Sequence, residues 1–324
     1  MAAGPDGAVG RGGDRAGRTA ILIAGPTASG KSAFALALAR ATGGLVVNAD
    51  AMQVYRELRI LTARPSGADE AAAPHRLYGH VGAAEPYSAA RWVGDCLAVI
   101  DEAAAAGVPA IVVGGTGLYF EALTRGLSPV PAIPEDVREH WRRQSAVLDA
   151  AALHGELARR DPEMAGRLAP SDTQRLVRAL EVIEGTGRSL ADWQAIAPVA
   201  PLASGATRRI VIAPERAWLH RRIAARFAAM VEAGAVAEAA AFDALALDPA
   251  MPATRAIGVA PLVAHIRGDL PLEEAESRSV IDSRRYAKRQ ETWFRNRMAD
   301  WERVDPRNIS EAAEQIAKEC HRRP

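Results

Sequence analysis

Apolar residues in this chain fall into short unbroken runs separated by longer, periodic stretches. Ile21-Leu22-Ile23-Ala24, Leu45-Val46-Val47 and Ala110-Ile111-Val112-Val113 are continuous runs of strand length. Such runs mark strands covered on both faces, as in a parallel sheet. Strands are therefore expected at 20–24, 45–48 and 110–113. Residues 31–41 read as a helix stopped by Gly43-Gly44, and a second helix runs from the Ser88 cap to about Ala106, ended by Gly107. Strand, crossover helix and strand make a βαβ unit. Residues 64–87 read as loop, with Arg64-Pro65, Pro74-His75-Arg76 and Glu85-Pro86 as breakers.

The texture changes after Gly126. Pro129, Pro131 and Pro134 form a linker, and helical patterns follow over 135–160 and 172–184 with no strand between them. Residues 195–206 are loop-like, and a strand pattern returns at Arg209-Ile210-Val211-Ile212-Ala213. The expected organisation is a helical insertion (129–205) within an α/β core (19–128 and 206–312). Residues 215–233 carry an apolar stripe of Trp218/Leu219, Ile223, Phe227 and Met230/Val231, with Arg222 and Arg226 on its edge. Helix continues over 235–246, and 251–258 is loop-like. A long helix over about 272–298 interleaves Arg284, Arg285, Lys288, Arg289, Arg295 and Arg297 with Tyr286, Trp293 and Phe294. Residues 1–18 are Gly- and Ala-rich without apolar period and read as a disordered tail. Residues 313–324 read as a second tail.

Composition narrows the function classes. Of 324 residues, 49% are hydrophobic, enough to core one large or two modest domains. Forty basic against 39 acidic side chains leave a net charge of +1, so any nucleic-acid contact must come from a local patch. Cys96 and Cys320 lack disulfide or metal spacing, which fits a reducing compartment and a cytoplasmic protein. His75 and His265 are lone histidines, and no metal role is read from them. No apolar run approaches the ~20 residues of a membrane span, so no membrane partner is expected.

The most specific chemistry lies directly after the first strand. Gly25-Pro26-Thr27-Ala28-Ser29-Gly30-Lys31-Ser32 is a Gly-x4-Gly-Lys-Ser phosphate loop set between strand and helix. Its glycines let backbone N–H groups curl around phosphate oxygens. The helix N-terminus adds partial positive charge. Lys31 neutralises phosphate charge, and Ser32 offers a hydroxyl to Mg²⁺. The loop implies a diphosphate or triphosphate ligand. Asp50 and Thr116 stand at the ends of two other strands, where open α/β sheets bind ligands.

Bland readings stand beside these. Asp50 reads as a general base or metal-bound carboxylate, or as a helix N-cap. Thr116 in Gly-Gly-Thr-Gly reads as a phosphate contact or as part of a glycine turn. Arg222 and Arg226 reach phosphates or flank a core stripe. Gln174, Arg175 and Arg178 share a helix face that binds RNA or carries salt bridges. The 284–297 basic face contacts nucleic acid or is merely solvated. Two absences help: there is no guanine-reading Asn-Lys-x-Asp and no protein-kinase motif set.

Seven segments in order resemble the tRNA dimethylallyltransferases, or tRNA isopentenyltransferases, of the bacterial type. They are 25–32; Asn48-Ala49-Asp50-Ala51-Met52-Gln53-Val54-Tyr55; Ala73-Pro74-His75-Arg76-Leu77; Tyr87-Ser88-Ala89-Ala90; Val113-Gly114-Gly115-Thr116-Gly117-Leu118-Tyr119; Gln174-Arg175-Leu176-Val177-Arg178-Ala179-Leu180-Glu181-Val182; and Ala287-Lys288-Arg289-Gln290-Glu291-Thr292-Trp293-Phe294-Arg295. The resemblance implies a P-loop parallel-sheet core with an inserted all-helical tRNA-binding domain. It implies dimethylallyl transfer from dimethylallyl diphosphate to N6 of adenine 37, beside the anticodon, with Mg²⁺ as cofactor; a monomer is the separate expectation for assembly. The base must leave its stack to expose N6.

Residue roles follow from the same resemblance. Asp50 accepts the N6 proton, and Thr116 and Arg226 act at the reacting centre. Gly25 to Ser32 and Arg222 hold the diphosphate, with Ser32 on the metal. Asp50, Ala51, Met52, Gln53, Thr116, Arg138, Gln174, Arg175, Leu176, Val177, Arg178, Arg255, Lys288 and Arg289 contact the tRNA anticodon stem-loop. The chain departs from many relatives at Ala51, where they have Ser, and at Val259-Ala260. Rival readings are an adenylate isopentenyltransferase acting on free nucleotide, a P-loop small-molecule kinase, and a non-catalytic RNA-binding protein.

Overall fold

A computed structural model of the chain describes residues 19–321. The tail read at 1–18 lies outside the described residues. Two compact units emerge, one of residues up to Thr124 and from Ala200 onward, the other Arg125–Val199.

The first unit opens with β1 (Ala20–Ala24), α1 (Lys31–Thr42), β2 (Leu45–Asn48), α2 (Gly67–Ala72), β3 (His75–Arg76), α3 (Ala89–Ala105), β4 (Ala110–Gly114) and α4 (Gly117–Thr124). The second unit holds α5 (Glu135–Val147), α6 (Ala150–Arg160), α7 (Pro162–Arg167), α8 (Thr173–Thr186) and α9 (Leu190–Ala195). The chain then returns with β5 (Thr207–Ile212), α10 (Arg216–Glu232), α11 (Ala235–Asp243), α12 (Val259–Ile266), α13 (Leu272–Arg297), β6 (Glu302–Val304) and α14 (Ile309–His321).

The six strands form one parallel sheet in the order β3-β2-β4-β1-β5-β6. Strands alternate faces residue by residue, and both faces here are apolar. Leu22, Val47, Val112 and Val211 belong to one core layer, with Trp92 of α3 and Phe120 of α4. Ile21, Ile23, Val46, Ile111, Val113, Ile210 and Ile212 belong to the other, with Phe34 and Leu38 of α1. That two-sided burial is why the strands read as unbroken apolar runs. In register, Ala24 lies opposite Gly114 and Asn48 opposite Val113, so β1, β2 and β4 end level with one another.

The first unit differs from expectation in β6 and α12, where no element was expected, and in three further parts. Within the stretch expected as loop, α2 forms on a capping box in which Ser66 and Asp69 satisfy each other's backbone amides. β3 is only two residues, too short to show a period. Residues 313–321, expected as tail, belong to α14. Ala313, Ile316 and Ala317 recur at helical spacing and bury against the α1 layer.

The second unit has its own core of Trp141, Leu153, Leu157, Met164, Leu176, Ala179 and Leu180. The helical stretch 135–160 is broken at Leu148-Asp149, and the Asp149 carboxylate caps α6 by accepting from Ala152 N at 2.8 Å. The unit ends at Val199, six residues before the end expected for the insertion. Leu202 already belongs to the first core, and its amide donates to Leu123 O at 3.1 Å.

Candidate active site

The β1–α1 loop is held by its own backbone and by side chains from α10 and α13. Ser29 N donates to Pro26 O at 3.2 Å, closing a tight turn. Gly30 takes φ +92° and leads into α1, a conformation that glycine adopts without cost. Ala28 sits at φ +63° without that freedom, so the loop stores some strain. The Ser29 hydroxyl is buried without a partner among the described residues. The Lys31 ammonium bonds Pro26 O at 3.2 Å. Burial lowers the Lys31 pKa to about 8, opposed by the Asp50 charge and reinforced by Arg226.

Two arginines of α10 reach back to this loop. Arg226 donates to Thr27 Oγ1. Burial lowers its pKa to about 10, with the Asp50 carboxylate opposing and Arg222 adding to the shift. Arg222 donates Nε to Ala28 O at 3.1 Å and lies over the Trp218 ring at 4.8 Å. Lys31, Arg226 and Asp50 are thus one electrostatic group.

Asp50 is aimed by a buried asparagine at the end of β2. Asn48 Nδ2 donates to Asp50 O and Leu77 O, each at 3.0 Å, and Asn48 Oδ1 accepts from Asp50 N at 2.8 Å. The Trp92 indole donates to Asn48 O at 2.8 Å. Asp50 Oδ1 accepts from Met52 N at 3.0 Å, an Asx turn that occupies one carboxylate oxygen. The capping role and a chemical role therefore coexist on one side chain.

The β4 exit locks against the same turn. Thr116 Oγ1 accepts from Ala51 N at 2.9 Å, and Thr116 N donates to Ala49 O at 3.1 Å. A Cβ on Gly114 would lie 2.0 Å from Ala49 O. On Gly115 it would lie 2.2 Å from Gln290 Nε2 and 3.1 Å from Asp50 Oδ2. Only glycine admits this approach. Gln290 of α13 accepts from Thr27 N at 2.8 Å and donates to Gly115 O at 2.9 Å.

These elements enclose a cavity of about 230 Å³. Thr27, Asp50, Arg226, Arg255, Tyr286 and Arg289 supply its polar wall. Met52, Leu61, Ile223, Phe227, Met230 and Ile257 supply an apolar one. Burial, with the Asp50 charge added, raises the Tyr286 and Tyr78 hydroxyl pKa values, so both stay neutral. Along the outer side of α13 runs a groove lined by Arg285, Lys288, Arg289, Thr292, Trp293, Asn296 and Arg297.

The chain itself has counterparts among known proteins. The sequence profile described as IPP transferase matches residues 53–297, and one described as Isopentenyl transferase matches residues 18–80. The chain belongs to the IPP transferase family. It is 54% identical over 288 residues to the tRNA dimethylallyltransferase of Methylobacterium nodulans, covering 89% of this chain and 95% of that one. Against the tRNA dimethylallyltransferase of Parvibaculum lavamentivorans the figures are 53% identity, 87% and 89%. The crystal structure of the full-length tRNA isopentenylpyrophosphate transferase from Bacillus halodurans aligns with TM-score 0.67 and 31% identity, over 94% of this chain and 97% of that one. A eukaryotic dimethylallyltransferase acting on tRNA aligns with TM-score 0.74 and 25% identity, over 89% and 73%.

Within this family member the expected site residues separate into groups. Thr27, Asp50, Ala51, Met52, Arg226, Arg255 and Arg289 line the one cavity. Thr116 is not in its lining and braces the Ala51 amide instead. Thr27 N, expected to face phosphate, is taken by Gln290. Gln53 turns its amide to Thr62 O at 2.8 Å and Ala63 O at 2.9 Å, anchoring the loop that carries Leu61. Ser32 is exposed at the start of α1. Lys288 is exposed on α13 beside Arg289, whose guanidinium lies 5.6 Å from the Tyr286 ring centroid.

In the second unit, Gln174, Arg175 and Arg178 are exposed on α8. Arg175 pairs with Asp172, Arg178 with Glu181, and half-buried Arg138 with Glu135. Leu176 corrects the expectation of a tRNA contact for its side chain, because it is 0% exposed in that unit's core. Val177 packs against the same core.

The sequence alone points to no role for Asn48 or Gln290, and it places Tyr286 only among the aromatics of the basic helix. A signal for Gln290 was present: Ala287, Gln290 and Phe294 recur at helical spacing on the buried stripe of α13. A carboxamide on an apolar stripe must have partners.

Proposed function

We propose that this chain transfers the dimethylallyl group of dimethylallyl diphosphate to N6 of adenine 37 next to the anticodon of tRNA. The observation that carries the reading is the single cavity with the Thr27 and Arg226 end of the phosphate site, the Asp50 carboxylate, and an apolar wall of Ile223, Phe227 and Met230. A diphosphate fits the first, an incoming exocyclic amine the second, and a five-carbon prenyl chain the third. Burial of that chain contributes about 0.8 kcal/mol per methylene.

The steps follow from these groups. The phosphate loop, Lys31 and Arg226 hold the diphosphate, with Arg222 fixing the Ala28 carbonyl of the loop. The N6 amine attacks the C1 carbon of the prenyl group, the C1–O bond breaks, and the electron pair leaves with the diphosphate. Arg226 and Lys31, both cationic at neutral pH, stabilise that departing charge. Asp50 accepts the N6 proton as the new C–N bond forms. Thr116 keeps the Asp50–Ala51 turn in place through the Ala51 amide.

The donor chemistry fits Mg²⁺. The Ser32 hydroxyl is exposed at the helix start beside the loop, and Mg²⁺ needs few protein oxygens when substrate phosphates and waters complete its shell. Among the described residues no group of three or more His, Cys, Asp and Glu forms an alternative cage. Bound there, the ion would neutralise diphosphate charge.

The tRNA partner would lie along the basic residues of α13, and the exposed face of α8 adds a second contact. We place the enzyme in the cytoplasm as a monomer. Among the described residues no helix is long and apolar enough to cross a membrane.

The test is mass analysis of tRNA nucleosides after incubation of unmodified tRNA with dimethylallyl diphosphate and Mg²⁺. Isopentenyladenosine is the expected product, and its absence overturns the reading. Equal transfer to free AMP would favour the adenylate enzyme, and ATP turnover without prenyl donor would favour a kinase. Asp50→Ala should lower transfer by about 10²–10⁴-fold with tRNA affinity kept. Full activity in that variant would remove Asp50 from the role of base.

A further inference from the structure

Gln290 is 5% exposed and lies on the buried stripe of a helix whose outer side is strongly basic. Its carboxamide is used at both ends. Oε1 accepts from Thr27 N at 2.8 Å, and Nε2 donates to Gly115 O at 2.9 Å. Thr27 follows β1 and Gly115 follows β4, two adjacent strands of the sheet. A neutral amide offers an acceptor and a donor side by side, whereas a carboxylate offers acceptors only. The fit leaves no slack, because a single methyl on Gly115 would collide with Nε2.

Each partner continues into the chemistry. Thr27 holds the Arg226 guanidinium through its hydroxyl. Gly115 precedes Thr116, whose hydroxyl braces Ala51 beside Asp50. We propose that Gln290 is a positioning residue for the transfer, setting the separation between the diphosphate-holding Thr27–Arg226 pair and the Asp50–Thr116 turn. It acts through Thr27 and Gly115 and touches neither substrate. A buried polar link satisfied at both ends fixes geometry in a way that apolar packing does not. The inference rests on the transferase reading above.

Two substitutions test it. Gln290→Met keeps length and burial but loses both hydrogen bonds. It should lower kcat by about 10–100-fold, the cost of misplacing reacting groups by about 1 Å. It should also raise the KM for dimethylallyl diphosphate while leaving tRNA affinity unchanged. Gln290→Glu keeps the shape. Ionised, the new carboxyl has no donor for Gly115 O; protonated, its O–H restores one. The groups around it are the Asp50 carboxylate, the Tyr286 hydroxyl and, across Thr27, the Arg226 guanidinium. Its activity relative to wild type should therefore rise as pH falls from about 8 to about 5.

Phe294→Leu, one turn along the same stripe, serves as control. It should lower the melting temperature and leave kcat and KM as in wild type. The inference is overturned if Gln290→Met has wild-type kinetics, if it loses tRNA affinity alone, or if the Gln290→Glu ratio does not vary with pH. Equal kinetic losses in Phe294→Leu would also overturn it, by reducing the effect to general destabilisation. A wild-type enzyme that makes no isopentenyladenosine defeats the transferase reading itself, an outcome distinct from all of these.

Discussion

Lys31 is the residue whose surroundings make the sharpest prediction. Its ammonium is buried, and burial brings its pKa down to about 8. Below that value the group is charged and attracts diphosphate; as pH rises through it the charge is lost. The pH profile of kcat/KM for dimethylallyl diphosphate reports the free enzyme. It should therefore fall on an alkaline limb with apparent pKa about 8. Arginine stays protonated, so Lys31→Arg should move that limb upward even if its absolute rate is lower. A limb unmoved by the substitution would assign the titration to another group.

At the level of elements, the loop between Arg56 and Arg64 depends on a carboxylate far away in the sequence. Glu238 of α11 accepts from three consecutive amides: Arg59 N and Ile60 N at 2.7 Å, and Leu61 N at 2.8 Å. Leu61 and Thr62 from this loop line the cavity. Glu238→Ala removes charge-assisted bonds worth about 1.5–3 kcal/mol each before relaxation. Amide exchange over 59–61 should accelerate strongly, and the KM for the prenyl donor should rise. Unchanged exchange there would show that the loop holds itself. The helix α14 invites a parallel test. Ile316 is 1% exposed in the layer that covers α1, so Ile316→Ala should cost about 2–5 kcal/mol and lower the melting temperature. A neutral result would return α14 to the status of a dispensable tail.

These elements also show what the sequence could reveal. The β1, β2, β4 and β5 runs were legible because two-sided burial leaves no polar position to interrupt them. The phosphate loop was legible because its function fixes residue types at fixed spacing. β3 and β6, of two and three residues, hold too few positions for any period. α14 lies beyond the last recognisable motif, and its stripe of Ala313, Ile316 and Ala317 is built largely of small residues. Gln290 was visible as a letter, but its partners lie 263 and 175 positions away. Such a link is a property of the fold. Leu176 erred in the opposite direction: a motif names a stretch of chain, while helical rotation decides which of its side chains face solvent.

For the molecule as a whole, a net charge of +1 supplies almost no long-range attraction for RNA. Affinity for tRNA must then come from local groups, and each group's worth depends on its present neighbours. Arg175 and Arg178 on α8 already have the carboxylates of Asp172 and Glu181 at 3.4 and 3.3 Å. A phosphate binding there must displace those partners, so less counterion release accompanies it. In the α13 groove Arg285 and Arg297 are likewise paired, with Asp282 at 3.3 Å and Glu121 at 3.5 Å, but Lys288 and Arg289 beside them have no carboxylate within ion-pair distance among the described residues, so their charge is open to an incoming polyanion. Each lost phosphate contact should flatten the dependence of log K on log salt by about 0.7–0.9. The double variant Lys288→Ala/Arg289→Ala should thus lose close to two contacts' worth of slope in a titration of tRNA binding against salt. Arg175→Ala/Arg178→Ala should lose measurably less, with affinity reduced in the same order. A larger loss from the α8 pair would mean that the second unit, despite its internal ion pairs, carries the main electrostatic contact with tRNA.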